Sequence, residues 1–321
     1  MPLRARPALA LPAVAALALT GCGQSVEAGQ AATAQENERI GVTAGFYPLQ
    51  FVSEAVGGDR VEVTNLTTPG AEPHDLELAP RDVAELSEAE LVVYLSGLQP
   101  AVDDAVGSQS VEAFDVADAA DLSLTTAPLE DEQAEDGHTD DEPAQGEEIT
   151  DPHFWLDPLR LAAVGDAVAD RLADIDPDGA QEYAANAEKL RSRLEELDAE
   201  MSETLGSCER TALVTSHNAF GYLADRYGFE QVGISGLSPD DEPSPAKLAE
   251  LADFVRDNGV TTIYYETLVS PDTARTLAEE TGAQTATLDP IEGITEESAG
   301  DDYVEVMRAN LETLVQGQSC A

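Results

Sequence analysis

Three histidines and one aspartate stand out in this chain by type and setting. His74 lies in GAEPHDLEL (residues 70–78), His153 in DPHFWLDP (151–158), His217 in TSHNAFGYLADRYG (215–228) and Asp289 in TLDPIEG (287–293). The whole protein has four histidines, and these segments hold three of them. Three imidazoles and one carboxylate form a donor set suited to zinc. The gaps between the four are 79, 64 and 72 residues. No local loop spans such distances, so only a folded protein brings the set together.

The elements that would do so are legible as alternating strands and helices. Residues 40–46 form an apolar run that reads as a strand. Residues 48–57 have helical spacing and end at Gly57-Gly58, a stop signal. Residues 61–66 alternate as a strand, 80–90 read as a helix, 91–95 as a buried strand, 99–106 as a short helix and 111–116 as a strand. The alternation predicts a parallel α/β sheet. It breaks at residues 128–150, which carry ten carboxylates, no basic residue and His138. Like charges at that density do not pack, so a solvated, mobile acidic loop is expected.

Two strongly helical stretches follow, at 158–174 and 178–206. In the second, Tyr183, Ala187, Leu190, Leu194, Leu197 and Met201 recur at steps of three or four. A helix of ~25 residues is roughly 37 Å long, enough to run along two lobes. A second strand–helix series then occupies 211–215, 218–227, 231–234, 245–258, 261–265, 271–281, 284–288 and 301–316. The expected architecture is α/β: two similar lobes with parallel sheets, bridged by one long rigid helix.

Ligands of open α/β sheets bind beyond the carboxyl ends of the strands. His217 and Asp289 fall just past predicted strands, and His74 follows another through a Thr-Thr-Pro-Gly turn. His153 closes the acidic loop before the connecting helices. Two candidates come from each side of the bridge, which puts a metal between the lobes. Glu266, at the end of strand 261–265, is the reserve fourth ligand or a group that orients a histidine N–H. Trp155, Phe154, Tyr222 and Tyr227 read as core aromatics. Among metals, a third imidazole favours Zn²⁺ over Mn²⁺, which prefers more carboxylate oxygens.

The motifs Pro73-His74, Asp151-Pro152-His153-Phe154-Trp155-Leu156-Asp157-Pro158, His217-Asn218-Ala219-Phe220-Gly221-Tyr222 and Leu288-Asp289-Pro290 together resemble the metal-binding lipoproteins that feed ABC transporters, the ZnuA/TroA type of solute-binding protein. The likeness covers residues 39–321. It implies two α/β lobes, a rigid long helix and one metal in the interlobe cleft, with His74, His153, His217 and Asp289 at the ligand positions. It further implies a zinc ion as cargo and a membrane permease as partner. Zinc binders of this type often carry a His-rich charged loop where this chain has residues 128–150. Here that loop is acidic and holds only His138, which offers at most weak metal recruitment.

The start of the chain fits an exported protein. Residues 1–21 read as a signal peptide, with Arg4 and Arg6 before a short apolar run. Leu19-Thr20-Gly21-Cys22 resembles a bacterial lipobox, with Cys22 the lipidated residue. Residues 22–38 read as a flexible tether, 39–157 as the N-terminal lobe, 158–206 as connecting helices and 207–321 as the C-terminal lobe. The expected location is extracytoplasmic, lipid-anchored to the cell membrane, and the expected state a monomer. The formal net charge of −48, from 16 basic and 64 acidic residues, makes nucleic acid and anionic membrane surfaces poor partners. Cys208 and Cys320 remain after Cys22. An even pair in an exported chain points to a disulfide, with two unpaired thiols as the alternative.

Three other functions compete with zinc capture for a permease. One is uptake of Mn²⁺ or Fe²⁺. Another is a metal-dependent surface adhesin. The third is a zinc hydrolase, which needs an open coordination position and a general base. No HExxH motif exists, all four positions look filled, and a non-enzymatic role is expected.

Overall fold

Two short parallel sheets with the same strand order organise the molecule. The computed structural model describes residues 39–109, 111–126, 149–239 and 243–321. The predicted signal (1–21), the tether with Cys22 and His138 lie outside the described residues, as does residues 128–148 of the acidic stretch.

The first sheet contains β1 (Ile40–Ala44), β2 (Val61–Asn65), β3 (Leu91–Tyr94) and β4 (Ala113–Asp115), in the order β2-β1-β3-β4. The second contains β7 (Ala212–Thr215), β8 (Glu230–Gly233), β9 (Thr262–Tyr265) and β10 (Gln284–Thr287), in the order β10-β9-β7-β8. Read from the other edge, that is the same order, so the chain builds one topology twice. Between them lies a small antiparallel pair, β5 (Thr125–Thr126) with β6 (Ile149–Thr150).

Burial explains the strand sequences. Central strands are covered on both faces and are apolar, as in LVVY of β3 and TIYY of β9. Edge strand β2 alternates instead, with Val61 inward and Glu62 out.

The helices are α1 (Tyr47–Gly57), α2 (Pro80–Glu88), α3 (Pro100–Ser108), α4 (Ala117–Ala120), α5 (Pro158–Ile175), α6 (Ala180–Leu205), α7 (Gly221–Tyr227), α8 (Pro245–Asp257), α9 (Asp272–Thr281) and α10 (Tyr303–Gly317). Proline opens α2, α3, α5 and α8, where a missing N–H costs nothing. Asp157 caps α5 by accepting from Leu159 N at 2.9 Å. Helix α7 starts at Gly221 rather than at the predicted 218. Asn218 is diverted: its side chain accepts from the N–H of Gly233, the last residue of β8, and its own N–H donates to Gly236 O in the loop that follows.

Helix α6 has 26 residues, about 39 Å at 1.5 Å per residue. Its buried stripe is Tyr183, Ala187, Leu190, Leu194, Leu197, Met201 and Leu205. That stripe belongs to one hydrophobic core that also takes in Val42 and Val93 of the first sheet, and Leu213 and Tyr264 of the second. A separate cluster under α8 and α9 covers the other face of the second sheet. Cys208 and Cys320 form a disulfide that ties the end of α6 to the end of α10. No helix among the described residues is long and apolar enough to cross a membrane.

Candidate metal centre

Loops leaving the carboxyl ends of both sheets meet at one point. His74 comes from the connection between β2 and α2, and His217 from the turn after β7. Glu266 follows β9, and residues 288–293 follow β10. His153 precedes a 3-10 turn, Phe154–Leu156, that leads into α5.

His74, His153, His217 and Glu292 converge there, with one ligand atom of each lying within 4.8 Å of the others. His74 Nε2 and His153 Nε2 are 3.2 Å apart. Glu292 Oε1 lies 3.3 Å from His217 Nε2, 3.4 Å from His153 Nε2 and 3.7 Å from His74 Nε2. The two imidazoles are within hydrogen-bond reach of each other, whereas the Glu292 contacts are close without being aligned as hydrogen bonds. His217 Nε2 and both Glu292 oxygens are buried with no hydrogen-bond partner. Unpaired buried polar atoms are costly, and several aimed at one point are the signature of a shared ligand.

Each buried imidazole is oriented from behind. His153 Nδ1 meets Asp151 Oδ1 at 2.8 Å, and the same oxygen accepts His153 N–H at 2.9 Å. His217 Nδ1 meets Glu266 Oε1 at 2.7 Å, where Ser216 Oγ also donates. A carboxylate only accepts, so both Nδ1 atoms donate, and Nε2 is the atom that each ring turns to the cluster. The His217 loop is further held by Gln231, which donates to Thr215 Oγ1 and to His217 O.

Electrostatics follow from burial and proximity. Burial pushes His74 down. Burial opposes charge on His153 and His217 too, but Asp151 and Glu292 hold the first above the ordinary imidazole value. Glu266 and Glu292 hold the second well above it. Glu292 is the counterpart: burial would raise it, yet the three imidazoles hold it well below the usual carboxylate range. Glu72, whose Oε1 accepts His74 N–H, is pushed up to about 9 by burial and then by Glu292.

Of the four residues singled out in the sequence, His74, His153 and His217 converge and Asp289 does not; the carboxylate beside the imidazoles is that of Glu292. The Asp289 carboxylate turns back on its own chain: Oδ1 accepts from Ile291 N at 2.8 Å and Oδ2 lies 3.4 Å from Thr267 Oγ1. It is pushed up to about 6, by burial first. Glu266 lies behind His217 and outside the converging group.

The split of two groups from each side is also uneven. The segment carrying His153 is joined to the second half of the molecule. Tyr222 OH donates to Asp151 O, Trp155 Nε1 donates to Pro290 O at 2.7 Å, and Tyr303 OH donates to Trp155 O. Gly221 has no room for a Cβ because the Asp151 carboxylate stands against it. His74 alone arrives on a first-sheet loop.

A family model described as "Zinc-uptake complex component A periplasmic", ZnuA, matches residues 42–317. The chain belongs to the ZnuA family. It is 32% identical to the high-affinity zinc uptake system protein ZnuA of Bacillus subtilis, over 93% of each chain. It is 34% identical to the zinc-binding lipoprotein AdcA of Streptococcus pneumoniae, over 96% of this chain and 60% of that protein. The chain therefore spans about 60% of the length of that relative. Among solved structures, the laminin-binding protein Lmb of Streptococcus agalactiae, described as bifunctional with adhesin and metal transporting activity, superposes with a TM-score of 0.75. The two share 31% identity over 88% of this chain and all of that one. The two-lobed α/β fold read from the sequence is the fold of these ZnuA-type proteins.

Proposed function

We propose that this protein captures Zn²⁺ outside the cytoplasmic membrane through His74, His153, His217 and Glu292 and delivers it to the permease of an ABC transporter. The observation that carries this reading is the spacing of the converging atoms. A tetrahedron with arms of about 2.0–2.1 Å has edges of roughly 3.3–3.4 Å. Four of the six separations run from 3.2 to 3.7 Å. Three nitrogens and one oxygen suit zinc better than Mn²⁺ or Fe²⁺. With four protein groups around the ion there is no open position for a reacting water, which argues against hydrolysis.

In this reading Cys22 anchors the protein to the membrane and the chain acts as a monomer. His138 and the carboxylates of residues 128–148 recruit cations weakly. Adhesion is a second reading, favoured by the likeness to the laminin-binding protein, and a laminin pull-down tests it.

Metal analysis of the purified protein should give one tightly held Zn²⁺ that neither Mn²⁺ nor Fe²⁺ displaces. Saturating zinc should stabilise the fold by about 2.7 kcal/mol at a free concentration 100 times Kd. An unchanged melting temperature would sink the reading.

A further inference from the structure

Ile291 is fully buried and β-branched, yet its φ is +59°. The left-handed region crowds its Cβ against the following carbonyl and costs about 1–3 kcal/mol. Such a conformation persists only where the surroundings over-determine it. Four hydrogen bonds do so here. Asp289 Oδ1 accepts from Ile291 N at 2.8 Å. Asn310 on α10 grips the Asp289 backbone twice, accepting from its N–H at 2.9 Å and donating to its carbonyl at 2.7 Å. The Trp155 indole N–H holds Pro290 O at 2.7 Å. The next residue is Glu292, whose carboxylate reaches all three imidazoles.

We infer that Asp289 is the positioning residue for Glu292: its Oδ1 closes the turn that forces Ile291 left-handed, and this backbone aims Glu292 at the histidines. Asp289 acts on the ion only through Glu292. The inference rests on the zinc reading above. A direct ligand needs a free lone pair directed at the ion, and the Asp289 oxygens are turned to Ile291 N and toward Thr267. Trp155 extends the device. Its ring lies 5.2 Å from that of His153, so one indole registers the His153 segment against the Glu292 segment.

The test compares zinc affinity, by competition with a chromophoric chelator, and the Co²⁺ absorption spectrum in the intact protein and its variants. Asp289→Asn keeps the Oδ1 acceptor and should bind zinc within about threefold of wild type, whereas Asp289→Ala should lose about 10–100-fold. The Co²⁺ spectrum of Asp289→Asn should overlay that of wild type, and that of Glu292→Gln should not. In an Ile291→Gly background the Asp289→Ala loss should shrink, because glycine adopts the left-handed conformation unaided. If Asp289→Asn alters the Co²⁺ spectrum as Glu292→Gln does, Asp289 is a ligand and the inference falls. Full affinity in Asp289→Ala overturns it as well. Absence of stoichiometric zinc in the wild type instead sinks the zinc reading itself. Asp289→Asn is near-isosteric, so its result decides even if Asp289→Ala does not fold.

Discussion

Residues 289–292 and residues 70–74 each bring one member of the cluster to the others, and they are held in opposite ways. Residues 289–292 are buried throughout and tied to α10 and to Trp155. Of residues 70–74 only Pro73 is buried and Gly70 is exposed, and the His74 side chain keeps 11% of its exposure while those of His153, His217 and Glu292 keep none. Backbone bonds around His74 are short-range, Ala71 N to Thr68 O and Leu76 N to Pro73 O. Gly70 takes φ +85° with only Thr295 Cγ2 near, at 3.9 Å from where a Cβ would stand. One arm stores strain inside a clamp, and the other relaxes at a glycine. The contrast teaches where an ion would pass: three groups form a fixed wall, and His74 is the door.

Reducing the Cys208–Cys320 disulfide should give the largest effect and strike the buried arm first. The bridged residues lie 112 apart in sequence, and closing such a loop contributes about 4–5 kcal/mol in the chain-entropy model. The bridge anchors α10, which supplies Asn310 and Tyr303 to the clamp. Denaturant unfolding with and without reductant measures the loss. Hydrogen exchange should rise more at residues 289–292 than at 70–74, and the reverse order would break the comparison.

Removing Glu292 and His74, the two proposed ligands on these arms, should also give unequal losses. Glu292→Ala strips a buried charge from three imidazoles and should cost on the order of 10³-fold in zinc affinity, about 4 kcal/mol. His74→Ala opens a position that water reaches and should cost roughly 10–100-fold, about 2 kcal/mol. Competition titrations decide, and equal losses would erase the distinction.

Gly70→Ala tests the relaxed arm alone. Packing leaves room for the methyl group, so the cost should be about 1 kcal/mol of backbone strain, read by urea unfolding. A loss of several kcal/mol would mean that the loop is packed more tightly than its contacts imply.

The smallest effect concerns overall shape. Helix α6 has no proline or glycine within its 26 residues and resists bending. Small-angle scattering should give nearly equal radii of gyration with and without zinc, while exchange slows at residues 70–74 and stays unchanged at 289–292. Compaction by several ångströms would favour a clamshell instead.

Much of this was legible in the residues. Strand–helix alternation carried both sheets because buried parallel strands must be apolar, and the α6 stripe was visible as a repeat of three and four. The histidines were findable because the chain has only four. Glu292 was not, because 64 acidic residues give a carboxylate no contrast. It stood in the same segment as Asp289, three residues on. Which of the two faces the imidazoles depends on the sign of φ at Ile291, and isoleucine is the wrong residue to announce a left-handed turn. The start of α7 was misplaced for a related reason, since Asn218 was spent on fixing the His217 loop to β8. Such long-range bonds leave no local pattern.

The buried stripe of α6 sits in a core shared by both sheets, which bears on how the molecule comes apart. Neither sheet can melt without exposing the face of α6 that the other still needs. A half-melted species, with one sheet intact and the other unravelled, keeps the ordering cost of α6 and loses much of its burial. Heating should therefore produce a single calorimetric transition, with the calorimetric and van't Hoff enthalpies equal, in place of two steps for two lobes.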